Sequence, residues 1–317
     1  MVLRLVVGIF SFGVLGLAAG VVSGQDYPSK PIRIITLAAG GGSDFTARQI
    51  SQGISGPLGQ SVIVDNRTAV LASEAVSKAA PDGYTLLVGG ASIWIFPLLQ
   101  KAPYDVNDLS PISLISREVN ILTVHPSLPV KSVKELIAMA KARPGQLNYA
   151  AGVIGGPQHL SAELFKALAG VDIVRVSYKG TAPALAAQMG GEVQLSFADV
   201  GAVMPHVKAG RLRALAVSSA EPSALAPQLP TVAASGVPGY ELVGMTVIMA
   251  PARTPAPIIT RLNQEVVRAV NQPDVKDRIL KMGAEIVATS SERLASIIKS
   301  DVARMGKVIK DAGIKVE

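Results

Sequence analysis

Short β-branched runs alternate with amphipathic stretches along most of the chain. Ile32-Arg33-Ile34-Ile35-Thr36-Leu37 has the length and apolar density of a buried strand, and a helical pattern follows a glycine turn from about Asp44. Runs of the same kind recur at residues 61–65, 84–88, 120–124, 148–151, 173–177, 193–197, 212–217 and 246–249. Between them the helices carry their own punctuation. Ser132-Val133-Lys134-Glu135 is a capping box, and Val133, Leu136, Ile137 and Ala140 then share one face until Pro144-Gly145 stops the helix. From Pro157, Leu160, Leu164, Ala167 and Leu168 form a stripe that ends at Gly170. Ile259, Leu262, Val266 and Ala269 form another. Ser290 or Ser291 caps a last helix carrying Leu294, Ile297, Ile298, Met305 and Ile309. Strands separated by helices predict an α/β fold, with a mostly parallel sheet covered on both faces.

The first residues read differently. Arg4, an apolar stretch over residues 5–19 and the small residues Val22-Ser23-Gly24 make a signal-peptide pattern, with cleavage expected after Gly24. No later segment is long and apolar enough to span a bilayer. The chain has no cysteine, so the exported protein is expected to be stabilised by its core rather than by disulfides. It also lacks the cysteine a lipid anchor would need. No Gly/Ser/Pro linker marks a simple boundary. Two lobes joined by crossing strands leave no such signature, and residues 120–125 and 244–249 are the candidate crossings.

The net charge of +7 admits nucleic acid, an anionic surface or a small anion as partner. Lys134, Lys141, Lys208, Arg211 and Arg213 stand singly, and only 4% of residues are aromatic, which argues against stacking on bases. A solvated basic surface, compatible with weak steering of anions, is the simpler reading. Enzyme templates fail. There is no G-x-S-x-G elbow, His125, His159 and His206 stand far apart, and no calcium-loop spacing occurs. No catalytic residue, metal site or cofactor is expected, and the chain is not read as an enzyme.

What remains is a set of glycine turns that open helices. Gly40-Gly41-Gly42-Ser43-Asp44 follows a strand and lacks both the P-loop lysine and the third glycine of a dinucleotide fingerprint. Free N–H groups at such a helix start suit a carboxylate, which is the better use of the turn; an ordinary tight turn capped by Ser43 or Asp44 is the alternative. Residues 152–157 repeat the arrangement, and Tyr178-Lys179-Gly180-Thr181 is a third turn, with Lys179 as a possible point charge. Three such turns suggest a ligand at the carboxyl ends of strands.

Several ordered stretches extend this picture. They include Tyr27-Pro28-Ser29-Lys30-Pro31-Ile32, Asp65-Asn66-Arg67, Ala79-Ala80-Pro81-Asp82-Gly83-Tyr84 and Gln158-His159-Leu160. Tyr178-Lys179-Gly180, Lys208-Ala209-Gly210, Pro230-Thr231-Val232, Pro238-Gly239-Tyr240 and Thr254-Pro255-Ala256-Pro257 continue the series. Taken together the chain resembles the substrate-binding subunits of tripartite tricarboxylate transporters, the Bordetella uptake protein family.

That resemblance implies a type II periplasmic binding fold: two α/β lobes joined by crossing strands, with a ligand cleft between them. Residues 25–123 and 244–317 would form lobe 1 and residues 124–243 lobe 2. It implies a periplasmic, monomeric protein that captures a di- or tricarboxylate, an amino acid or an aromatic acid. Delivery would be to a large and a small membrane subunit, with no nucleic acid involved. An orphan sensing receptor of the same fold, or a member that has lost binding, are the alternatives. The ligand-binding candidates are Ala39, Gly40, Gly41, Ser43, Asp44, Ser92, Trp94, Gly155, Gly156, Gln158, His159, Lys179, Gly180, Thr181 and Asp199.

The sequence departs from the family pattern where ligands are chosen. Ala38-Ala39 replace two prolines, the glycine-rich loop after Arg67 is missing, and the usual aromatic near residues 244–246 is gone. Trp94 and Phe96 stand where small polar residues are common. Trp94 therefore either selects an apolar or aromatic acid or packs beneath the shortened loop.

Overall fold

The computed structural model describes residues 27–37, 39–151, 156–178, 180–311 and 314. The signal-peptide pattern with its cleavage point, Gly155 and Lys179 lie outside the described residues.

The chain begins with β1 (Ile32–Thr36), α1 (Gly42–Leu58), β2 (Val62–Asn66), α2 (Ala69–Ser77), β3 (Thr85–Gly89) and α3 (Ser92–Leu99). β1 pairs in parallel with both β2 and β3. A long strand, β4 (Leu109–Val124), leads to the middle of the chain. There α4 (Val133–Ala142), β5 (Asn148–Ala151), α5 (Pro157–Ala169), β6 (Val174–Ser177), α6 (Thr181–Met189), β7 (Leu195–Asp199), α7 (Val200–Lys208) and β8 (Arg213–Val217) follow in turn. β5 is parallel to both β6 and β7. The return is made by β9 (Val243–Pro251), then α8 (Ala256–Val270), α9 (Pro273–Lys281), β10 (Ala284–Ile286) and α10 (Ser291–Asp311).

The expectation of a mostly parallel sheet fails at the centre. The strand order is β2-β1-β3-β9-β4-β7-β5-β6, with β8 and β10 also on β4. Every pairing of β4, and that of β3 with β9, is antiparallel. The physical reason is connectivity. β4 carries the chain out and β9 brings it back, so the two run in opposite senses between two parallel sets. β4 pairs with β9 from Leu109 to Val119 and with β7 and β8 from Asn120 to Val124. The change of partners falls between Val119 and Asn120, slightly ahead of the lobe boundary expected from sequence.

Local sequence chemistry explains the punctuation. Ser132 Oγ accepts the Glu135 N–H at 3.2 Å, but Glu135 Oε2 takes the N–H of Lys131 instead of that of Ser132. The capping box thus closes one residue early. Ser290 Oγ accepts the Arg293 N–H and starts α10, and Gly170 ends α5 in the left-handed conformation that glycine adopts without Cβ strain. Where the glycine-rich loop after Arg67 is missing, α2 begins directly after Thr68, with residues 69–71 as its first turn.

One core cluster runs through the junction, from Ile35 and Leu87 to Phe165 and Phe197, and a second lies to one side. Ile32, Ile34, Ile50, Ile54, Leu86, Val88, Ile248, Leu262 and Val266 are fully buried on one side. Phe165, Phe197 and Tyr240 form an aromatic cluster on the other, with ring centroids 5.9 to 6.4 Å apart and Tyr240 Oη donating to Ser161 O. Phe and Tyr rings at such spacings add to what burial alone contributes.

α1 and α8 approach closely because Gly53 has no side chain. A Cβ at residue 53 would stand 2.5 Å from Ala269 Cβ. Gly53→Val is therefore expected to destabilise the protein by ~1–3 kcal/mol through overpacking. Urea denaturation reads this directly, and an unchanged midpoint would contradict the close helix contact.

Candidate functional site

A cavity of about 770 Å³ opens where the two halves meet along β4 and β9. Both halves line it. Gly42 and Ser43 come from the start of α1, Ala91 and Ser92 from the start of α3, Gly156 and Pro157 from the start of α5, and Asp199 and Gly201 from the start of α7. None of these four helices has a side-chain cap hydrogen bond. Their first N–H groups lack intrahelical partners and carry the positive end of the helix dipole, so the four starts together favour an anion.

The rest of the lining is largely apolar. Phe45, Ile95, Phe96, Leu99, Leu160 and Met305 supply much of it. Thr46 and Thr246 add hydroxyls, and Arg304 adds the lining's guanidinium group. Arg304 Nη2 donates to Asp301 Oδ1 at 2.5 Å, and Nη1 is buried with no partner among the described residues.

The sequence candidates divide into three groups. Ser43, Ser92, Gly156 and Asp199 line the cavity. Gly155 and Lys179 lie outside the described residues. The remaining candidates stand off the cavity lining, and several have evident structural work. Ala39, Gly40 and Gly41 are exposed on the turn before α1. Asp44 is buried: its Oδ2 accepts the Gly40 N–H at 3.0 Å, and its Oδ1 accepts from Asn66 Nδ2 at 2.8 Å and pairs with Arg48. Burial raises the Asp44 pKa, but the Asn66, Gly40 and Arg48 contacts outweigh it and the net shift is downward. Asp44 thus holds the glycine turn in shape.

Gln158 Nε2 donates to Thr181 Oγ1 at 2.8 Å, tying the start of α5 to that of α6 at Gly180 and Thr181. His159 is buried in the first turn of α5. Burial, reinforced by Arg175, lowers its pKa to about 4, so its ring is neutral at physiological pH. Trp94 is almost fully buried, and its Nε1 donates to Asp301 Oδ2 at 2.7 Å. The indole thus joins α3 to α10 beneath the cavity. The α6 turn is not among the lining, whereas the starts of α3 and α7 are.

Sequence reasoning missed Glu118. It sits on β4, just before the change of partners, and its Oε1 accepts from Thr246 Oγ1 at 3.2 Å across to β9. A Cβ at Gly244 would stand 2.5 Å from Glu118 Oε2, and one at Gly42 would stand 3.7 Å from Oε1. Glycine at 244 therefore leaves the room that the carboxylate fills, close to the start of α1. Burial, and then the neighbouring Asp199, raise the Glu118 pKa against the Thr246 hydrogen bond. The Asp199 pKa is raised as well, by desolvation from the surrounding walls and against the N–H of its own backbone, although the residue itself remains exposed to solvent at the cavity mouth. Although Asp is a favoured N-cap residue, the Asp199 side chain makes no cap bond to α7.

Residues 46–314 match the family model described as "Tripartite tricarboxylate transporter family receptor". The chain is 34% identical to Protein BugT of Bordetella pertussis over 98% of both chains. Among solved structures, the R. palustris protein Rpa4515 with adipate is 36% identical, with a TM-score of 0.73 over 92% of this chain and 99% of that one. MatC from Rhodopseudomonas palustris, with bound malate, is 28% identical, with a TM-score of 0.69 over 89% of this chain and 100% of that one. A Polaromonas solute-binding protein at 22% identity shares the fold, with a TM-score of 0.83 over 90% of this chain and 99% of that one.

The raised Glu118 pKa has a measurable sign. The folded state favours the protonated form, so the wild type loses stability as pH rises from the ordinary 4.5 through the raised value. Glu118→Gln lacks that loss. The variant is expected to melt higher than wild type near neutral pH, with the difference closing below pH 4.5. His159 contributes the opposite slope, lost as pH falls from 6.5 through about 4, but it is common to both proteins. Equal melting temperatures at neutral pH would contradict a strained Glu118 carboxylate.

Proposed function

The chain belongs to the tripartite tricarboxylate transporter receptor family, and on that premise we propose that it captures a small organic carboxylate in the periplasm and passes it to membrane subunits of such a transporter. The observation that carries this reading is the meeting of four uncapped helix starts, drawn from both halves, on one cavity. Backbone N–H groups hold a carboxylate without a fixed counter-charge. Each helix start contributes ~0.3–1 kcal/mol, and more where water is excluded. Relatives solved with adipate and malate bind molecules of the same chemical class.

In this reading the two halves act as lobes hinged on β4 and β9. Ser43 and Ser92 grip the ligand from one lobe, Gly156 and Asp199 grip it from the other, and closure expels water between them. The work is capture and release rather than covalent chemistry. Export follows from the signal-peptide pattern, with the mature chain beginning at Gln25. No helix among the described residues is long and apolar enough to cross a membrane, which fits a receptor that meets its transporter from outside.

The test is thermal unfolding of the chain from Gln25 onward against di- and tricarboxylates, acidic amino acids, aromatic acids and neutral molecules of matched size. A bound carboxylate at a hundred times its dissociation constant stabilises the fold by ~2.7 kcal/mol. Stabilisation by carboxylates and not by the neutral set is the expected result. Stabilisation by the neutral set alone would overturn the reading.

A further inference from the structure

A cavity built to take an anion on helix starts is an expensive place to keep two carboxylates. Yet Glu118 and Asp199 both line it, and the Asp199 charge disfavours ionisation of Glu118. Among the described residues, neither forms an ion pair with a cationic side chain. The cavity's guanidinium, Arg304, is paired with Asp301. Glu118 has one hydroxyl donor, Thr246, and no ion pair among the described residues.

The polar character extends along β4. Alternation puts Ser116, Glu118 and Asn120 on one face, while Val119 and Ile121 are buried among apolar neighbours on the other. Asn120 is buried opposite Asp199 in the strand register, and its Nδ2 has no partner among the described residues. Ser116 Oγ is likewise buried without one. Buried polar groups are normally paired, so these atoms leave β4 polar on both sides of Glu118; Asn120 Nδ2 is a donor and takes an acceptor such as a carboxylate oxygen, while acceptance of a cation falls to Glu118 and Asp199.

We infer that Glu118 and Asp199 receive an ammonium group, so that the receptor selects an amino-substituted carboxylate over the plain acid. The ligand carboxylate lies on the helix starts, and its ammonium points to the β4 face, where two acceptor carboxylates stand together. This places a cation between two anions that otherwise repel. An inorganic dication fits less well. It needs six or more oxygens, and no group of three or more metal-binding side chains occurs among the described residues. Gly244 makes the arrangement possible, because any side chain there would displace Glu118 from its position.

The inference rests on the carboxylate-receptor reading above, and matched ligands separate the two. Isothermal titration calorimetry of the mature chain at neutral pH would compare succinate, malate and aspartate, which differ only in H, OH or NH₃⁺ at one carbon. Adipate and 2-aminoadipate would extend the comparison to a longer chain. The amino member is expected to bind on the order of tenfold tighter than its unsubstituted partner, or more. Glu118→Gln and Asp199→Asn should each shrink that preference, with circular dichroism confirming that both variants fold. Plain dicarboxylates binding as tightly as their amino partners would overturn this inference and leave the carboxylate reading standing. Malate binding tightest would overturn it in favour of a hydroxyl donor. If no acid in either series binds, this inference falls, and the wider panel of tricarboxylates and aromatic acids decides the carboxylate reading.

Discussion

One strand is shared by two halves of the molecule, and the rest of the design follows from it. β4 runs for sixteen residues, pairing first with β9 and β10 and then with β7 and β8. Continuous backbone hydrogen bonding forces both parallel sets of strands to meet at its middle. The helices that follow β1, β3, β5 and β7 therefore start around that meeting point. A cavity there inherits helix dipoles from both sides without any dedicated binding loop, which is why so much of its polar lining is backbone.

The electrostatics of the cavity are opposed by construction. Helix starts draw in negative charge, while the carboxylates of Glu118 and Asp199 repel it, and Asp199 also disfavours the charge on Glu118. An unliganded site in this condition stores unfavourable energy near neutral pH. The groups that hold it are packing groups: Thr246 and Gly244 place Glu118, and the Trp94–Asp301–Arg304 chain fixes α3 to α10 along the cavity wall. Trp94 thereby serves the shape of the cleft from beneath. Removing its N–H would leave Asp301 short of one buried hydrogen bond, a loss of ~1–3 kcal/mol.

Much of the fold was legible because local signals agreed with the tertiary ones. Residues 32–37 and 148–151 read as strands from apolar runs, and Ser132, Ser290 and Gly170 mark helix ends by side chain or glycine chemistry. The first half of β4 was hidden because Pro111 and the Arg117-Glu118 pair break the apolar run, and β10 is only three residues long. Its neighbour α9 was missed although Pro273 and Asp274 open it in the usual way. The site was half legible. Ser43 and Gly156 follow from turn chemistry, since strand ends and helix starts are neighbours in sequence, whereas Ser92 and Asp199 follow from the resemblance to the family. Glu118 does not, because its meaning depends on register: it faces Gly244 across β9 and lies near Asp199 through β7. The available signal was polar residues at 116, 118 and 120 alternating with Val119 and Ile121.

The central claim is that the halves close on a carboxylate about β4 and β9, and the absence of cysteine makes this directly measurable. Ile63 on β2 and Leu168 on α5 are both exposed and lie on opposite halves. Each can be replaced by cysteine and spin-labelled without background. Electron–electron resonance distances between the labels are predicted to shorten and narrow when the tightest-binding carboxylate is added to saturation. An unchanged distance distribution, with calorimetry confirming that the ligand is bound, would contradict the account.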